Sequence, residues 1–459
     1  MKIWNIAVGS RFCFAKRFAA ILVVVCLLSS LTACSQLGSR FSVSAAELVA
    51  SPTYPKVSFE GTDKTLQKDI EGAHQISVEM KNAIDIFSYK TAEPILINTP
   101  VNSCYSPLSL YYALALAGTG ANGQTRAELL TLLGESDKSL LSKAMGDLYR
   151  LLFLDNAVSK LKIANSLWLD HEYQGKPVQY KDAFLKNATE QFYASLFKVD
   201  FAKQSAGDAM AKWITEQTSG TLNPRFELDP LQLMSILNTI YFKNEWVDQF
   251  SSDQTKPDTF RLADGTDITC DFMNMTKASQ TFNKGPGFTR AALNLKSNNQ
   301  MVFILPDQGV SIENLISGPD QLHELFEEGE HFNGKVIWKV PKFSYGSNFK
   351  LVETLESLGI HSAFEFNADF TNITDHPAFI SDIIQQTHIS IDEKGVEASA
   401  FTKIDYYGMA PPTSMVEMIL DRPFLYAIFS APVAKLTDTV PAHLGLPLFI
   451  GICGNPAEP

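Results

Sequence analysis

Side chains able to do covalent or metal chemistry are sparse in this 459-residue chain, and their spacing excludes most of it. Cys104, Cys270 and Cys453 sit far apart, with none at metal-ligand distance in sequence from another, which favours buried free thiols over a disulfide framework or a zinc site. The chain contains no H-E-x-x-H, no G-x-S-x-G and no clustered His, Cys and Asp. Gly118-Thr-Gly-Ala-Asn-Gly123 matches the dinucleotide pattern G-x-G-x-x-G in letters only, because it follows a helical run where that site requires a strand. No metal, no cofactor and no catalytic centre is therefore expected.

What remains is the backbone from Ile389 to Ala410. Ile389 and Ile391 alternate with Ser390 and Asp392 as a strand would. Glu393-Lys394-Gly395 breaks the run, glycine tolerating angles closed to other residues. A second alternation then places Val396, Ala398, Ala400, Thr402, Ile404 and Tyr406 on one face and Glu397, Ser399, Phe401, Lys403 and Asp405 on the other. Tyr406 to Pro412 ends it as an exposed loop, since two prolines remove two ladder donors. Such a segment can serve as strand or as loop. The plainer reading is a hairpin strand followed by a Pro-rich loop.

The N-terminus is of another kind. Lys2, Arg11, Lys16 and Arg17 precede a short apolar run, Phe18 to Leu28, which suits an export signal better than a membrane span. Leu31-Thr-Ala-Cys34 resembles the lipobox of bacterial lipoproteins, which implies acylation at Cys34 and a protein held on a membrane at the periplasmic face or cell surface. We expect a signal at 1–33, a flexible tether at 34–69 and one folded domain at 70–459. Removing the signal takes the formal charge from −12 to about −16, which leaves nothing suited to binding nucleic acid.

The folded part must hold that backbone stretch in place. With 45% hydrophobic and 19% charged residues it can bury a large core. Apolar spacing predicts a first helix over Ile70–Lys90, a helix apolar all round over Pro107–Ala117 capped by Ser106, and another over Gln124–Leu133. Further helices are expected at Tyr180–Tyr193, Gly207–Thr218 and Phe349–Leu358, the last closed by Gly359. Strands are expected at Leu161–Leu169, Leu233–Trp246, Phe260–Gly265, Met301–Asp307 and Val336–Phe343. Helices early and strands late argue for a single α+β domain.

In this order the chain resembles the serpins. Asn102-Ser-Cys-Tyr-Ser-Pro-Leu-Ser109 is similar to the family's N-x-x-x-S-P-x-S, and Asn238 to Trp246 to its N-x-I-Y-F-K-x-x-W. Leu305-Pro306, Pro341-Lys342-Phe343, Asp392 to Ala398, Arg422-Pro423-Phe424 and Phe449-Ile-Gly451 follow in the family's sequence. The resemblance implies the serpin fold: mainly antiparallel sheets, one of them large and central, with surrounding helices and an exposed reactive-centre loop. It implies a suicide-substrate inhibitor of serine proteases, with a non-inhibitory binding or substrate protein as the alternative.

On this resemblance Glu393, Gly395, Val396, Glu397, Ala398, Ser399 and Ala400 form the hinge, while Ser106, Ser109, Asn238, Trp246 and Gln385 belong to the region where the sheet opens. Gln385 stands where the family usually has histidine; it can donate and accept but not titrate. Phe401 is bulky for a hinge and is expected to slow insertion. Counting from the hinge places the scissile bond at Met409-Ala410; counting back from Arg422 places it a few residues later. Met409 preceded by two tyrosines suggests an elastase-, chymotrypsin- or subtilisin-like protease as partner, or a cysteine protease, met by a monomer. The Pro-containing stretch Ser430–Leu446 is longer than the family's closing turn.

Overall fold

Helices gather in the N-terminal half: α1 Lys64–His74, α2 Val78–Ile97, α3 Pro107–Gly120, α4 Gly123–Leu133, α5 Lys138–Leu152, α6 Asp182–Gln191 and α7 Gln204–Gln217. The strands begin with β1 Ala46–Ala50, β2 Asn102–Tyr105, β3 Leu154–Asp155, β4 Ser159–Asp170, β5 Glu172–Tyr173, β6 Lys176–Pro177 and β7 Ala194–Val199. They continue as β8 Met234–Glu245, β9 Lys256–Arg261, β10 Asp267–Gly285, β11 Phe288–Asn294, β12 Gln300–Pro306, β13 Glu330–Pro341 and β14 Phe343–Lys350. The last are β15 Ile384–Ile391, β16 Gly395–Val396, β17 Met415–Ile419, β18 Phe424–Phe429 and β19 Pro447–Cys453. This computed structural model describes residues 45–55, 64–98, 101–230, 232–318, 320–396, 414–434 and 445–458.

Two large sheets account for most strands. One runs β1-β7-β4-β8-β16-β15-β14, and the other β17-β13-β10-β11-β12-β18-β19-β2. The helix α3 packs against β8 and β19 and against α2, α4 and α5, so it touches both sheets. All fourteen of its residues are buried, which is why its sequence is apolar on every face. Ser106 caps it through the amide of Ser109, and Pro107 occupies the first turn, where no donor is missed. Gly118 and Gly120 lie inside this helix rather than ending it, and a Cβ at Gly120 would collide with the Ile373 side chain. Their role is close packing.

Three expected elements differ. The helix expected over Ile70–Lys90 is two helices, because Ser77 caps a new start through Met80 and breaks the first at His74. The helix expected over Phe349–Leu358 is shorter, since Phe349 and Lys350 finish β14 opposite Gln385 and Ile384. In the stretch read as a flexible tether, 34–69, Ala46–Ala50 is a strand paired antiparallel with β7, and Lys64 opens α1. Tyr54 beyond that strand stacks on Tyr149, Phe153 and Tyr193, with the Lys162 ammonium 4.6 Å over its ring. Burial there pushes its hydroxyl up to about 12. From Ala45 on, the chain forms one compact unit. Five residues of strand are too few to show a period, and their partner lies about 150 residues away, beyond the reach of local pattern.

Candidate functional site

The strand β15 has alternate residues buried, with Gln385, Thr387, Ile389 and Ile391 on the inner face. It ends at Asp392, whose carboxylate accepts the amides of Lys394 at 2.8 Å and Gly395 at 3.1 Å while its own amide donates to the Gly395 carbonyl. This turn folds the chain back on itself. Gly395 and Val396 then form β16, antiparallel to β15 at Ile391 and to β8 at Asn244 and Glu245. Two residues are thus seated as a strand between β8 and β15. A Cβ at Gly395 would collide with the Asn244 carbonyl oxygen and lie 2.7 Å from Glu245 Cα, so this close approach admits only glycine without displacement. Val396 is 3% exposed, its apolar face against the core.

The turn is held from three sides. Trp246, itself buried, donates its amide to the Lys394 carbonyl and its indole N–H to the Asp392 carbonyl, both at 2.9 Å. The Phe250 amide donates to the Glu393 carbonyl at 2.9 Å. The Glu393 carboxylate meets Lys342 Nζ at 3.0 Å and the Thr255 hydroxyl at 2.8 Å. Partial burial raises the Glu393 carboxyl, but the bonds from Lys342, the backbone and Thr255 outweigh it and hold the group below the ordinary glutamate range. Beneath the turn, Asn244 accepts from Ser159 and donates to the Lys296 carbonyl, and the buried Glu245 pairs with Lys296 at 2.6 Å.

A second polar cluster lies lower on the same strands. Ser106 donates its amide to Gln385 Oε1 and accepts from Gln385 Nε2 at its carbonyl, each at 2.8 Å, and its hydroxyl donates to the Leu448 carbonyl at 2.7 Å. Ser109 donates to Asn238, Asn238 to Asn165, and Asn165 to the Phe192 carbonyl. Thr387 donates to the Cys104 carbonyl. The first turn of α3 is therefore tied to β15 on one side and to β8 and β4 on the other, across the place where β16 enters. These buried bonds hold the strands together, and each must be exchanged for another if the sheet parts there.

Of the site residues read from sequence, Ser106, Ser109, Asn238 and Gln385 meet in the lower cluster, and Glu393, Gly395, Val396 and Trp246 in the upper one. The hinge residues Glu397, Ala398, Ser399 and Ala400, the bond Met409-Ala410 and Cys34 lie outside the described residues. Sequence reading missed Asn165, Thr255 and Lys296. Asn165 did leave a signal, an amide in an apolar strand at a position with no exposure. Lys342 appeared in a motif without a role, and its role is to hold Glu393. Cys104, Cys270 and Cys453 are free, although Cys270 is only half-buried; burial pushes the Cys104 thiol up to about 12, so it is not a nucleophile. Asp170, His171 and Asp200 bring three potential metal ligands together, but the Asp170 carboxylate is taken up by His171 and by the amides of Glu172 and Phe201.

Gly395 and Val396, seated as a strand between β8 and β15, complete the geometry of the site. The family profile described as "Serpin (serine protease inhibitor)" matches residues 83–437. The chain belongs to the serpin family. Among similar curated proteins, Serpin-Z2B of Triticum aestivum is 28% identical over 395 residues, spanning 81% of this chain and 94% of that serpin. The "Serine protease inhibitor" of Cyanea capillata is 26% identical over 411 residues, spanning 84% and 99%. Among solved structures, the thermophilic serpin tengpin in its native state superposes with a TM-score of 0.72 at 26% identity, covering 90% of this chain and all of that one. In this serpin Gly395 and Val396 lie between β8 and β15 in the central sheet.

Proposed function

We propose that this serpin inhibits an extracellular or periplasmic serine protease as a suicide substrate, from a membrane surface to which acylated Cys34 anchors it. The observation that carries this is the seat of Gly395 and Val396 between β8 and β15, and it supports the reading because the residue types that follow in sequence continue the same alternation. The protease serine attacks the Met409 carbonyl carbon, an ester forms, and Ala410 leaves as the amine, taking a proton from the protease's base. Before water cleaves that ester, the freed arm zips into the sheet behind Val396. Thirteen steps from Val396 to Met409 span about 43 Å as a strand, which carries the bound protease along the body and distorts its active site. Ala398 and Ala400 suit the buried face, where a charged side chain would cost several kcal/mol.

The test mixes purified protein with an elastase-like, a chymotrypsin-like and a subtilisin-like protease and runs each mixture on a denaturing gel, with mass spectrometry of the released peptide. A band at the summed mass and a peptide beginning at Ala410 are expected. Cleavage in the loop by all three without such a band would replace this reading with that of a non-inhibitory serpin. Labelling with a radioactive fatty acid in a bacterial host, lost in Cys34→Ser, tests the anchor.

A further inference from the structure

Away from the hinge, a cavity of about 410 Å³ opens between α5 and α6, floored by Thr119 at the end of α3 and by Asn372. Three lysines line it, Lys138 and Lys143 from α5 and Lys181 from the start of α6, and none of the residues lining it carries a carboxylate. Carboxylates surround the lining without entering it: Asp137 caps α5, Asp182 stands in the first turn of α6, and Asp147 and Asp375 lie beside Lys143 and Lys181. Lys143 pairs with Asp147 and Lys181 with Asp375, but Lys143 is 74% and Asp375 85% exposed, so both pairs are weak and open to exchange. The Lys138 ammonium has no hydrogen bond or ion pair among the described residues, and neither have the side chains of Ser139, Asn187 and Gln191, all of which line the cavity. Phe184 provides an apolar wall.

We infer that this cavity is a binding site for a compact phosphate ester of a polyol or sugar. The lysines would hold the dianion, and Ser139, Asn187 and Gln191 would meet hydroxyl groups of the carrier. The volume lies within the range of small-molecule sites and exceeds what a bare phosphate fills. The inference goes beyond protease inhibition and does not depend on it.

The test titrates the full chain calorimetrically with glucose 6-phosphate, with glucose and with inorganic phosphate as separate arms. Glucose 6-phosphate is expected to bind with a Kd below about 1 mM, to weaken with added salt, and to bind more tightly than either other probe. Lys138→Gln and Lys181→Gln should each weaken it about tenfold. Lys203→Gln, outside the cavity, should not, and thermal midpoints of the unliganded variants report that they fold. Absence of heat from glucose 6-phosphate, or binding that both cavity variants leave intact, would overturn the site. Inorganic phosphate binding as tightly as the ester would overturn the assignment of its ligand. Asn187→Ala adds an arm free of charge change: a loss of ester affinity with phosphate affinity unchanged supports the carrier contact, and equal losses contradict it.

Discussion

At Gly395 a single hydrogen atom in place of a methyl group decides whether the hinge sits in the sheet. Gly395→Ala should push β16 out, since its Cβ would meet the Asn244 carbonyl; increased amide exchange at Gly395 and Val396, with a stability loss of about 1–3 kcal/mol, is the expected reading. Glu393 sets a pH response. Its carboxyl is held low in the folded protein, so its stabilisation is complete above the ordinary glutamate pKa of about 4.3 and is lost as pH falls through the lowered value. The difference in thermal midpoint between the native chain and Glu393→Gln should accordingly be largest near neutrality and vanish in acid. The stability difference behind it should be about 1 kcal/mol or less, because Lys342 is 37% exposed. Gln385 is the counter-case: it donates and accepts at once and carries no charge, so Gln385→His should introduce an acid-side loss of stability that the native residue lacks.

Among elements, local pattern served most helices and the strands β4, β8 and β12 well, whereas the longest strand, β10, went unread. The run Leu233–Trp246 is β8 to within a residue at each end, and Pro107–Ala117 is α3 with its cap as expected, because a helix buried on all sides and a strand rich in aromatic and branched residues write their burial into composition. β1 and α5 were missed. α5 is strongly amphipathic, with Leu141, Met145, Leu148 and Leu152 buried at helical spacing, so its signal was present and unread. β1 had no such signal. Its attachment predicts that a chain shortened to begin after Pro55 loses the aromatic stack of Tyr54 on Tyr149 and exposes the β7 edge, with faster amide exchange over Ala194–Val199 and a thermal midpoint lower by several degrees. An unchanged midpoint would show that the strand adds nothing to the body. Asn165→Ala would leave the half-buried Asn238 amide without this partner, at a cost of about 1 kcal/mol readable by denaturant unfolding.

For the whole molecule, the central sheet holds Gly395 and Val396 as a two-residue strand between β8 and β15, and the proposed mechanism extends that strand to full length. Completing that strand buries a further apolar face and pairs main-chain groups on both sides, so nicking the chain within 397–413 should raise the thermal midpoint by more than about 10 °C, measured by calorimetry before and after limited proteolysis. A nicked protein no more stable than the intact one would rule out insertion, whatever the gel shows. The family, the α+β class and most helices were legible in the order of residue types, because helix periodicity, strand alternation and capping are properties of neighbours along the chain. That Asn165 completes the bond from α3 to β4, that Lys342 grips Glu393 and that β1 docks on β7 depended on the tertiary structure. Each is a pairing between segments distant in sequence, and main-chain donors and acceptors look alike in every residue until folding brings one partner within about 3 Å of the other.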